Sequence, residues 1–173
     1  MPPLFHLLPN GVEVLHHHIR GAIAAGDEEV VEDGLWSLLH WMKLGSSQPQ
    51  PTNLPPIDLI REIGVIVAYR RIAGLFLALD IAHWIFMEGS LEWQNEIRQL
   101  VVQGLGYLFD ELDYKRNDVD RDNAINIPQL RWMCANLALG MQSKGIADLP
   151  VEQWVKVIAT DPLPEVRFAK VVS

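Results

Sequence analysis

The chain has 173 residues, 49% of them apolar and 21% charged, which suits one folded domain with a substantial core and is too hydrophobic for a disordered chain. Its formal net charge is -8, so a phosphate backbone would be repelled and nucleic acid is not an expected partner. A single cysteine, Cys134, excludes an internal disulfide, and the first ten residues lack the basic stretch of a secretory leader, so the expected location is cytoplasmic.

In chain order, residues 11–25 read as a helix with Val12, Val14, Leu15, Ile19, Ile23 and Ala24 on its apolar side, stopped by Gly26. Asp27 is a good N-cap for the next helix. The acids Glu28, Glu29, Glu32 and Asp33 suit the positive end of its dipole, and Val30, Val31, Leu35, Leu38, Leu39 and Met42 recur at helical spacing up to Gly45. These two helices should pair antiparallel. Residues 46–56 contain Pro49, Pro51, Pro55 and Pro56 and form a loop.

A third helix starts near Pro56 and runs through Ile60, Ile63, Ile66 and Val67, with a break between Arg70 and Gly74. A fourth follows to about Met87. The stretch from Ile63 to Met87 is interrupted by Arg70, Arg71, Asp80 and His83, so it predicts two buried helices and no membrane span, the fourth being the most buried element. Gly89 and Ser90 lead into a long helix from Leu91 to about Tyr114, with Trp93, Ile97, Leu100, Val101, Leu105, Leu108 and Phe109 inward.

Pro128 suits the first turn of the next helix, which carries Leu130, Met133, Cys134, Leu137 and Met141 and is closed by Gly145. Pro150 opens another through Trp154, Val157 and Ile158, ended by Asp161 and Pro162. No segment sustains a two-residue alternation, so the fold class is all-α.

A short pattern recurs: an aliphatic residue, usually followed by Arg, with a small or aliphatic residue three or four positions on. Its leading residues are Val30, Ile60, Ile97, Leu130 and Val166, which stand 30 to 37 residues apart, the length of a two-helix repeat. The fullest copy, Asp161-Pro-Leu-Pro-Glu-Val-Arg-Phe-Ala169, resembles the HEAT family of helical repeats. In that family an Asp in the inter-helix turn precedes a Val-Arg pair and a small residue at the start of the second helix. The other copies depart from this, the first having Val31 in place of Arg.

The resemblance implies a right-handed α-α superhelix of about four to five helix pairs spanning residues 1–173 as one domain. It also implies that Arg167 bonds the Asp161 turn and that Val166, Arg167 and Ala169 start a helix packed on the one carrying Trp154, Val157 and Ile158. An irregular multi-helix bundle is the alternative. The last copy ends soon after Val166, so it is either a shortened cap or part of a longer solenoid.

Asp118, Asp120 and Asp122 occupy alternate positions, with Ile125 eighth and Gln129 twelfth from Asp118. This is similar to an EF-hand or dockerin calcium loop, but Asn123 replaces the turn glycine and Gln129 the bidentate carboxylate, so calcium binding would be weak or absent and the plain reading is a polar connection. His16-His17-His18 is not a metal tract on a helix, where consecutive side chains diverge by about 100°. Asp80 and His83 share a helix face, and the plainest reading is a buried polar pair joined by Arg70 or Arg71. Cys134 lies on an apolar stripe and reads as a core thiol, not a nucleophile.

Three functions compete. The first is a non-enzymatic protein-interaction module with an acidic surface, binding another and basic protein through Glu28, Glu29, Glu32 and the aromatics Trp36 and Trp93, which serve as anchors where they are left exposed. The second is a calcium-responsive module using Asp118, Asp120 and Asp122. The third is an enzyme built on Asp80 and His83. The first needs no cofactor and no catalytic residue.

Overall fold

A computed structural model describes residues 11–46, 57–69, 74–112, 128–146, 149–161 and 163–169, and its regular structure is entirely helical over them. The helices are α1 (Gly11–Ala25), α2 (Glu28–Ser46), α3 (Ile57–Ala68), α4 (Leu75–Glu88), α5 (Leu91–Leu112), α6 (Pro128–Ser143), α7 (Leu149–Ile158) and α8 (Pro164–Arg167). None of them is long and apolar enough to cross a membrane.

The helix ends follow from local chemistry. Gly26 takes φ 70, which lets its N–H reach the Ile23 carbonyl at 3.2 Å while the Asp27 N–H reaches Ala22 at 3.1 Å. The same two-bond ending recurs at Gly145, whose N–H donates to Gln142 at 3.0 Å while that of Ile146 donates to Met141 at 3.1 Å. Both endings satisfy carbonyls that a straight helix would leave open. Asp27 then caps α2, its Oδ1 accepting from the Val30 N–H at 3.2 Å. Ser90 caps α5 in the same way, accepting from Trp93 at 3.2 Å, and the Gln94 amide reaches back to the Gly89 carbonyl.

Packing links neighbours one and two places apart in the chain. α1 pairs with α2, α3 with α4 and α6 with α7, while α3 lies against α5, α5 against α7, α2 against α4, α4 against α6 and α6 against α8. The odd helices from α3 onward thus form one set and the even helices another. The α3/α5 contact is close because glycines stand at it: a methyl placed on Gly64 would lie 2.8 Å from Leu100 Cδ1, and one on Gly104 would lie 2.2 Å from the Val67 carbonyl oxygen. Arg20 on α1 reaches Glu62 on α3 at 3.7 Å, and Arg61 on α3 reaches Glu96 on α5 at 4.0 Å. These are exposed pairs that add little stability.

α4 meets α2, α3, α5 and α6. That position matches its composition, since Leu75, Ala78, Leu79, Ile81, Ala82, Ile85 and Phe86 are buried and the apolar Phe76, Leu77, Trp84 and Met87 are half-buried on its other side. α8 is a single turn with Val166 fully buried, and its main contact is α6. This corrects the expected partner, α7. The reason is the side chain of Asp161, which is buried and holds the turn before α8 onto α6 through Arg131.

The five copies of the short pattern do not occupy one place in a repeated pair. Val30, Leu130 and Val166 lie on even helices, whereas Ile60 and Ile97 lie on α3 and α5. Within α3 and α5 the offset is consistent: Val67 adjoins Gly104 at the same 37-residue separation that relates Ile60 to Ile97.

Candidate functional site

Along α2, residues Glu28, Glu29, Glu32, Trp36 and His40 are all exposed, while Val31, Leu35, Leu38, Leu39 and Met42 are buried. The period of the sequence dictates this split, because residues three and four apart return to the same face. The stripe begins with Glu28 and Glu29 in the first turn, where carboxylates complement the helix dipole. It continues with Glu32 and then Trp36, whose side chain remains 40% accessible. The His40 ring lies against the Trp36 indole, with centroids 3.7 Å apart and planes tilted by 52°. A carboxylate-rich first turn therefore adjoins an aromatic platform on one helix face.

Trp93, grouped with these residues on sequence grounds, is only 8% exposed and belongs to the core. It lies on the stripe of α5 that also buries Ile97 and Val101, so its ring is not offered to a partner. Trp132, by contrast, is 40% exposed. With Pro128, Gln129, Leu163 and Glu165 it lines a shallow cleft where α6 meets α8. Position on the helix alone hides this, since Trp132 follows directly after the buried Arg131.

Asp118, Asp120 and Asp122 lie outside the described residues. Gln129, at the twelfth position from Asp118, is exposed in the first turn of α6. Among the described residues no group of three or more His, Cys, Asp or Glu side chains is placed to hold a metal ion. His16 and His17 stack with centroids 6.3 Å apart, while His17 is exposed and its neighbours are half-buried.

Asp80 and His83 are not a buried pair, because Asp80 is exposed. His83 is half-buried against Gly140 of α6: a methyl on that glycine would lie 3.1 Å from the ring. Its Nε2 is buried with no hydrogen-bond partner. Burial holds the His83 pKa below its ordinary 6.5, and the Asp80 carboxylate offsets this in part. Cys134 is fully buried, and burial pushes its thiol up to about 12 against a smaller opposing pull from Arg131. Such a thiol is protonated at neutral pH and is a poor nucleophile.

The most completely built polar constellation is structural. Arg131 and Asp161 are buried together, with Nη2 2.6 Å from Oδ2. The other carboxylate oxygen of Asp161 accepts from the Leu163 N–H at 2.9 Å, and its backbone carbonyl accepts from Arg167 Nη1 at 2.8 Å. One residue thus joins α6, the α7–α8 turn and α8. No family model, curated protein or solved structure matches the chain.

Proposed function

We propose that this protein is a HEAT-like helical-repeat module that binds a basic protein partner along the outward face of α2, with no catalytic role. The repeat half of this reading is supported by the contacts between alternate helices and by the Asp161 turn, which Arg131 and Arg167 hold from two sides. The split of the short pattern between odd and even helices means that the array is irregular. A stack of helix pairs leaves extended faces open, and such faces serve binding.

The binding half rests on one observation: Glu28, Glu29, Glu32 and Trp36 form a continuous exposed stripe on a helix whose other side is locked in the core. Carboxylates of one sign steer a cationic partner toward the surface, and an accessible indole supplies contact area once it arrives. The test compares wild-type protein with the E28K/E29K/E32K variant as bait. A partner retained by the wild type alone is then purified and its association followed as salt is raised. Charge reversal and salt should both slow association, and Trp36→Ala should speed dissociation. Partners retained equally by the wild type and the charge-reversed variant, or an affinity indifferent to salt and to Trp36→Ala, would place the interface elsewhere.

A further inference from the structure

We infer that Glu32, Trp36 and His40 form an arginine-selective subsite, in which a partner guanidinium stacks on the Trp36 indole and pairs with the Glu32 carboxylate. This rests on the reading of α2 as the face that meets a basic partner, and it names the residue type recognised. The three side chains follow one another at four-residue steps and all are exposed. Helical side chains lean toward the N-terminus, so each covers the turn before its own Cα. His40 accordingly leans onto Trp36, which the 3.7 Å centroid distance records. By the same rule Trp36 leans toward Glu32. One side of the indole is braced by the imidazole while 40% of the side chain stays open to solvent.

The occupant follows from charge and shape. The protein carries a net charge of -8, and Glu28 and Glu29 extend the carboxylate stripe beyond Glu32, so the complementary group is a cation. Both lysine and arginine meet that condition electrostatically. Only a guanidinium is planar, stacks over an aromatic ring and presents parallel N–H groups to a carboxylate at the same time. A site made of an indole beside a carboxylate therefore discriminates where a carboxylate cluster alone would not.

The experiment uses two synthetic peptides of equal length and charge, one with arginine as its only cation and one with lysine, titrated into the full chain by calorimetry. Wild-type protein should bind the arginine peptide about fivefold or more tightly than the lysine peptide. Trp36→Leu should weaken the arginine peptide more than the lysine peptide and so abolish that preference, Trp36→Phe should keep part of it, and Glu32→Gln should reduce it. An unchanged melting temperature confirms that each variant is folded. Equal affinity of the wild type for both peptides would overturn the subsite and leave the acidic-surface reading standing. Absence of binding to either peptide would overturn both.

Discussion

Arg131 and Asp161 meet at 2.6 Å in full burial, 30 residues apart in the chain, one on α6 and the other in the turn that launches α8. Removing one partner would break a buried ion pair, which costs about 3–5 kcal/mol. Asp161→Ala should lose a further local contribution, because the Leu163 N–H also depends on that carboxylate. Arg131→Leu combined with Asp161→Leu should cost less than the sum of the single changes. Urea unfolding of the two single variants and the double variant measures this coupling.

Gly104 and Gly106 give opposite expectations two residues apart. A methyl at 104 meets the Val67 backbone at 2.2 Å, so Gly104→Ala must push α5 from α3 and should destabilise by about 2–3 kcal/mol. At 106 the nearest group is Trp154 Cζ2 at 3.8 Å, an ordinary contact. Gly106→Ala should therefore gain up to about 1 kcal/mol from helix propensity. Thermal melting of the two variants should move in opposite directions.

Much of this architecture was legible in the residues. Gly26, Asp27, Ser90, Pro128 and Gly145 mark helix ends because their preferences are set within a few residues. Which helix covers which was not legible in the same way. The apolar stripe of α8 predicts that Val166 is buried but not that α6 buries it, since that choice depends on a charge on another helix. Trp93 carries two opposing signals: its type suits an interface, while its place on the stripe with Ile97 and Val101 reads as inward, and the structure follows the stripe. The carboxylate stripe of α2 was legible because exposure there follows from helical period alone.

The half-buried His83 should make stability fall under mildly acidic conditions. Its neutral form is favoured in the fold, so the unfolded chain takes up the proton first as pH drops. The stability it contributes is complete above the ordinary value of 6.5 and is lost as pH falls from there through its lowered value. His16 shifts in the same direction, with burial again the largest cause. His83→Gln should flatten the dependence of unfolding free energy on pH below about 6.5, leaving the contribution of His16. An unchanged slope in a His16→Gln/His83→Gln protein would assign the acid sensitivity to other groups.

Calcium addresses the loop of Asp118, Asp120 and Asp122. With Gln129 at the twelfth position, any dissociation constant should be no tighter than about 10⁻⁴ M. Binding to the folded form alone would raise the melting temperature, and Gln129→Glu should enlarge that rise by restoring a carboxylate. A calcium-independent melting temperature in both proteins would make these acids a simple polar connection.

Because helices touch chiefly those one or two places away, the outermost described helices are held by fewer neighbours than the middle ones. α1 rests mainly on α2, while α4 is enclosed by four helices. Amide protons of α1 should therefore exchange with solvent through partial openings that leave α3 to α6 intact, and those of α4 only through global unfolding. A partner gripping α2 would suppress the openings of α1 as well, since the exchange-competent state exposes the surface beneath the bound helix. Deuterium uptake in Leu15 to Ala22 would then report occupancy of the outward face of α2.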